Sequence, residues 1–287
     1  MLTMSIVLVT GGAGNVGRQA VVKLAQAGHE VRVLDLPDLD YSFTNAHTNI
    51  EVFHGDICEK SDLTRACDGI DWAVHLAAIM PPMSEGNNEL ASRINIEGTR
   101  SILKALNPEI PIIFASSVAT YGVPTAEIVD IDHPQKPIDF YGETKLQNEK
   151  DILENSRPFV LLRISGVSVP ALLEIPRPWF ITANQRMEFV HLADVAKAVV
   201  NCVGNEAVTG KILQIAGGQT WQLIGQEYSR AICEAFDFPP ESATFQEQPS
   251  WTGWYDTNES QRLLQYQNHA FEDFIDQLRA LYQGAIS

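Results

Sequence analysis

The stretch Val9–Arg18, VTGGAGNVGR, follows the apolar run Ile6–Val9 and opens onto the helical pattern GRQAVVKLAQAG. Two glycine spacings overlap in it, Gly12-x-Gly14-x-x-Gly17 and Gly11-x-x-Gly14-x-x-Gly17. A strand that turns straight into a helix needs glycine for three reasons. One allows the tight turn, one lets the backbone approach a pyrophosphate, and one lets the helix pack close to the sheet. The first helical turn adds free amide donors and the positive end of the helix dipole. The stretch therefore reads as a dinucleotide-binding turn, with Gly11, Gly14, Asn15, Val16 and Gly17 around the phosphates.

Outward from this turn, short apolar strands alternate with helical patterns. Further strands are expected at EVRVLDL, NIEVFHGDI, DWAVHLAA, IPIIFASS and FVLLRIS. Helices are expected at SDLTRACDG, at SRINIEGTRSILKAL and from Tyr141 onward. Such alternation implies right-handed βαβ units, hence an α/β, Rossmann-type doubly wound parallel sheet. After Arg163 the pattern loosens. VPALLEIPRPWFITANQ reads as loop, HLADVAKAVVNCVG as helix, GKILQIAG as strand and WQLIGQEYSRAICEAF as helix. An irregular aromatic segment follows, then a tail helix with Phe271, Phe274, Ile275, Leu278 and Leu281 on one stripe. The expected organisation is a dinucleotide-binding domain over 1–165 and a small substrate-binding lobe over 166–287, interleaved with the last strands and helices of the first.

Acidic side chains outnumber basic ones 36 to 20, a net charge of −16, with no basic run. Nucleic acid and anionic membranes are therefore poor partners. The cysteines Cys58, Cys67, Cys202 and Cys233 have no metal-ligand spacing and read as free thiols, so no metal is expected. The N-terminal residues MLTMSIVLVTGG lack a basic n-region, and no apolar run approaches a bilayer span. A cytoplasmic location is the default expectation.

Asp35 ends the second strand, eighteen residues past Gly17. A carboxylate there accepts hydrogen bonds from ribose hydroxyls and repels a 2′-phosphate, which favours NAD over NADP. Asp56, with its neighbour Ile57, follows the third strand and can meet the adenine edge. Ser116 and Ser117 close the fifth strand, at the sheet edge where open α/β folds bind ligands. Tyr141 and Lys145 stand one helical turn apart on the next helix, so their side chains share a face.

Taken together, these motifs resemble the extended branch of the short-chain dehydrogenase/reductase superfamily, the NAD-dependent epimerases and dehydratases. TGGAGNVG resembles its glycine motif, and HLAA its fourth-strand motif, which implies that Leu76, Ala77 and Ala78 lie beside the cofactor. NIEGT places Asn95 at a helix-orienting position, SSVATYG places Ser117 at the catalytic serine, and YGETK is the Tyr-x-x-x-Lys motif. FVHLADVAKA and GKILQIAGG resemble the late segments. The resemblance implies that Tyr141 is the general base or acid, that Lys145 lowers its pKa and holds the nicotinamide ribose, and that Ser117 binds the reacting oxygen.

Two departures narrow the expectation. Val118 and Ala119 stand where dehydratase members carry an acid pair, so sugar dehydration is not expected. Gly166 stands where nucleotide-sugar members carry an asparagine three residues past Arg163, which favours a smaller substrate. Arg177 and Arg186 are candidates for gripping an anionic group, with Ser116 as a further substrate contact. The expected activity is NAD-dependent oxidation or reduction of a secondary alcohol or ketone on a sugar, sugar acid or similar small molecule. The alternatives are an epimerase that retains its cofactor and a non-catalytic dinucleotide-binding regulator. Apolar residues spread around SRINIEGTRSILKAL and around the Tyr141 helix, including Ile102, Leu106 and Leu153, suggest a homodimer.

Overall fold

A computed structural model describes residues 4–172 and 174–286; residues 1–3 of the N-terminal run, Leu173 of the proline-rich loop and Ser287 lie outside the described residues. Seven parallel strands form the main sheet: β1 (Ile6–Thr10), β2 (Glu30–Asp35), β3 (Ile50–His54), β4 (Trp72–His75), β5 (Ile112–Ser117), β6 (Phe159–Ile164) and β7 (Lys211–Ile215). Their order is β7-β6-β5-β4-β1-β2-β3. The chain reverses direction across the sheet between β1 and β4, and a crevice opens at their carboxyl ends.

The central strands are mostly apolar because both faces are covered. Val7 and Val9 of β1 point into one core, with Val31, Val33, Val160 and Leu162. Leu8 points into the other, with Leu34, Ile112, Phe114 and Leu161. Helix α1 (Asn15–Gln26) covers the first face together with α5 (Leu192–Val200). Helices α2 (Lys60–Ala66), α3 (Thr99–Ala105) and α4 (Phe140–Leu153) cover the second. The late segments α5 and β7 thus pack with the first core and the main sheet. A third, aromatic core gathers Trp179, Trp221 and Tyr228 with α6 (Gly225–Ala235) and α7 (Phe271–Ile286). Among the described residues, no helix is long and apolar enough to cross a membrane.

Several expectations are corrected. The helix read across SRINIEGTRSILKAL is wound as a π-helix over Ser92–Gly98 before α3 begins. Apolar spacing does not separate the two windings, and π-segments gather at functional sites. The helix read from Trp221 begins only at Gly225, because Leu223–Ile224 pair with Arg186–Met187 as a short antiparallel ladder. On the tail stripe, Phe271, Phe274, Ile275 and Leu278 are buried but Leu281 is 41% exposed. Ile102, Leu103 and Leu106 are all buried within the chain. The apolar surface expected to be left for a partner is therefore reduced to Leu153, 46% exposed, and the half-buried Ile94, Ile96, Ala105 and Leu146.

Candidate active site

The carboxyl edge of the sheet opens into one cleft of about 1080 Å³. Its first half lies over β1, β2 and β3. Gly11, Ala13, Gly14, Asn15, Val16 and Gly17 form one wall. Gly11 takes a left-handed φ of +71°, and a Cβ there would stand 2.6 Å from the Ala77 amide nitrogen. A Cβ on Gly17 would stand 2.1 Å from the Gly11 carbonyl oxygen. Gly12 packs instead under Val33, at 2.7 Å for the equivalent Cβ, so the spacing that faces the cleft is 11-14-17. Gly14 caps α1 with no side-chain acceptor, which leaves the first-turn amides turned to the cleft. The Asp35 carboxylate is tied to this turn. It accepts the Ala13 amide at 3.0 Å and the Leu36 amide at 3.0 Å. Asp56 and Ile57 line the same half, and Asp56 accepts from Cys58 and pairs with Arg93. Leu76, Ala77 and Ala78 line it opposite.

Beyond β4 the wall passes to Ser116, Ser117, Tyr141 and Lys145. Helix α4 aims Tyr141 and Lys145 into the cleft because its amino end is held by two carboxylates. Asp139 accepts the Gly142 amide at 2.7 Å, and Glu85 accepts the amides of Phe140 and Tyr141 at 2.9 and 3.0 Å. The Ser117 hydroxyl accepts from the Ala119 amide and favours the ionised phenol of Tyr141 from within hydrogen-bond reach. Lys145 is buried, donates to the Ala115 carbonyl at 2.7 Å and lies 5.6 Å from the centre of the Tyr141 ring.

A family model described as the 3-beta hydroxysteroid dehydrogenase/isomerase family matches residues 8–160, the span that carries the glycine turn, Asp35, Ser117, Tyr141 and Lys145. The chain belongs to this family. It is a member of the extended short-chain dehydrogenase/reductases, and its sheet is their Rossmann-like sheet. The chain is 30% identical over 199 residues to sterol-4-alpha-carboxylate 3-dehydrogenase, decarboxylating, of Homo sapiens, covering 63% of this chain and 50% of that protein. It thus spans about half the length of that relative. A putative UDP-glucose 4-epimerase of Methanocaldococcus jannaschii is 29% identical over 84% of this chain and 88% of its own length. A short-chain dehydrogenase/reductase superfamily protein from Agrobacterium tumefaciens, solved with bound NAD, has the same fold at a TM-score of 0.81. The two share 19% identity, over 98% of each chain.

Within this short-chain dehydrogenase/reductase frame, four expected site residues stand elsewhere or act otherwise. Arg177 is exposed, its guanidinium 6.0 Å from the Phe238 ring. Arg186 lies over Trp254 and pairs with Glu127. Neither lines the cleft, although Phe180 and Phe189 of the same stretch do. Ser116 borders the cleft, but its hydroxyl donates to Glu149. Asn95 does not face the cleft. Buried in the π-segment, it exchanges hydrogen bonds with the backbone of Ile79, at 2.8 and 2.9 Å, and so pins a cleft-lining residue, and its amide also donates to the Thr144 hydroxyl on α4 at 3.1 Å. His75, buried between Thr10 and Thr99, is likewise off the wall, and burial pushes its pKa down to about 3. His191 caps α5 through the Ala193 amide and meets Gln277. Its neighbours Asp194 and His269 bond each other, so hydrogen bonds account for this cluster.

Sequence reasoning missed Glu149 and Glu85. Glu149 stands one turn past Lys145 on α4, a spacing that could have pointed to it. Glu85 reaches the cleft only through tertiary packing.

Burial opposes the expected tuning of the pair. The walls around Tyr141 raise its phenol above the ordinary 10, and Asp139 adds to this. Burial also pulls Lys145 down to about 7, with Glu149 acting against it. The unfolded chain therefore holds a lysine proton that the folded chain releases between about 7 and 10.5. Across that window Lys145 makes stability rise with pH, by at most about 1.4 kcal/mol per pH unit. Urea unfolding at pH 8 and pH 9 should show this rise in the wild type and its loss in Lys145→Met. An identical slope in both proteins would show that Lys145 is not depressed.

Proposed function

We propose that the chain is an NAD-dependent oxidoreductase that interconverts a secondary alcohol and its ketone. The observation that carries the reading is that Ser117, Tyr141 and Lys145 line the same cleft as the glycine turn and Asp35. The residues present fit the dinucleotide. The 11-14-17 wall leaves room that a Cβ would fill, the uncapped first turn of α1 offers amides to the pyrophosphate, and Asp35 offers oxygens to the ribose. A bound nicotinamide would supply the hydride acceptor as the alcohol becomes a ketone, and the hydride donor in the reverse direction. Tyr141 takes the hydroxyl proton in oxidation and returns it in reduction. Ser117 donates to the reacting oxygen and holds it beside the phenol. Lys145 anchors the ribose. It also supplies, together with the cationic ring, the positive field that the raised phenol needs in order to ionise.

Residues 166–287 form the substrate-binding lobe in this reading, through Gly166, Phe180, Phe189 and Trp251 on the far half of the cleft. Relatives named as dehydrogenases and as epimerases support either outcome for the hydride. Exchange of NAD during purification favours the dehydrogenase, and NAD retained on the purified protein favours the epimerase. Self-association through α3 and α4 belongs to the same proposal. Sedimentation equilibrium with a single species at the monomer mass overturns it.

Asp35 makes the cofactor preference testable. A 2′-phosphate would face its carboxylate, so NADH should bind about tenfold or more tightly than NADPH. Fluorescence titration with both reduced cofactors measures this. Tighter NADPH binding would mean that the carboxylate does not meet the ribose.

A further inference from the structure

The far half of the cleft, beyond Tyr141, has a chemistry of its own. Phe180, Phe189 and Trp251 form a shelf of nearly parallel rings, with centres 5.9–6.2 Å apart and planes within 24° of one another. All three are only half-buried, and all line the cleft. Gly166 is what seats this shelf, since a Cβ there would stand 2.3 Å from the Phe189 ring. A polar side chain at 166 would have to displace that ring. The polar groups on this half are neutral: Ser165, Gln246 and Ser250. The Ser165 hydroxyl is buried and has no hydrogen-bond partner among the described residues. Charge tells the same story. Among the described residues that line the cleft, Lys145 is the one basic side chain, whereas Asp35, Asp56, Glu85 and Asp139 are all acidic. A phosphate or carboxylate on the substrate would enter an acidic cleft without a partner, at a large desolvation cost.

We propose that the substrate is a neutral alcohol or ketone that carries an aromatic ring, and that this ring lies against the Phe180–Trp251–Phe189 shelf. Offset stacking on the half-buried rings supplies the binding. This rests on the oxidoreductase reading above and replaces the anionic sugar-acid expectation that Arg177 and Arg186 had carried.

Binding and turnover test the two separately. Calorimetric titration of the NADH-saturated protein with 2-acetylnaphthalene should show binding. UDP-glucose and D-galacturonate should show none. Trp251→Leu should weaken the naphthyl ketone by about tenfold with NADH affinity unchanged. Phe180→Leu, which keeps an apolar side chain, should do the same to a smaller degree and guards against a folding defect in the first variant. Tighter binding of either anion, no binding of the ketone, or unchanged affinity in both variants would overturn the proposal. Oxidation of 1-(2-naphthyl)ethanol is then read on the same protein. Binding without turnover supports the shelf and strikes the oxidoreductase reading instead.

Discussion

Tyr141→Phe is expected to lower kcat by about 10²–10⁴-fold, the usual contribution of a positioned acid–base group, while NADH affinity stays close to wild type. The substitution removes one oxygen and leaves the ring. Helix α4 keeps its seat because Glu85 and Asp139 hold backbone amides, not the phenol. Lys145 is a contrast. Its buried nitrogen bonds the Ala115 carbonyl on β5, so Lys145→Ala should damage cofactor binding as well as turnover. The pair of variants, measured for kcat and for NADH dissociation, separates proton transfer from cofactor anchoring. Retention of most activity in Tyr141→Phe would show that the proton leaves by another route.

Glu149→Leu should destabilise the fold by about 3–5 kcal/mol, the usual cost of leaving a buried charge without its partner. Glu149 and Arg163 are both buried, and their side chains meet at 2.9 Å between Nη2 and Oε2. The guanidinium also donates to the Tyr121 hydroxyl at 3.0 Å and the Ile131 carbonyl at 2.9 Å. On the carboxylate, Ser116 and Gln135 complete the set of donors. Equilibrium urea unfolding measures the loss. The double variant Glu149→Leu with Arg163→Met should recover much of it, because neither charge is then stranded. A loss under about 1 kcal/mol in the single variant would mean that water reaches Arg163 and screens it. The variant has a second consequence at the cleft. Lys145 loses the neighbour that keeps its ammonium from being still further depressed.

The parts of this molecule legible in its sequence are those specified by short-range geometry. The strand–turn–helix at Val9–Arg18 demands glycine at particular atoms, so residue type and spacing were enough to place it. Tyr141 and Lys145 were legible because an i, i+4 pair must share a helical face. What failed depends on how distant segments meet. Arg177 and Arg186 looked like anion clamps by residue type, but their guanidiniums meet Phe238, Trp254 and Glu127, partners from distant segments. Asn95 bonds Thr144 on α4, but its hold on Ile79 joins segments that no local pattern brings together. The Phe180–Trp251–Phe189 shelf joins residues from three separate segments, and only Gly166, read as a missing asparagine, hinted that the space was used differently.

The central claim is that hydride passes between a substrate carbon and a nicotinamide beside Tyr141. Deuterium transfer tests it most directly. A panel of secondary alcohols deuterated at the carbinol carbon, 1-(2-naphthyl)ethanol among them, is incubated with NAD and the protein, and the recovered cofactor is weighed by mass spectrometry. The account predicts deuterium on the reduced nicotinamide with the wild type and a loss of that signal with Tyr141→Phe. A protein that binds NAD yet leaves the cofactor unlabelled with every alcohol would contradict it.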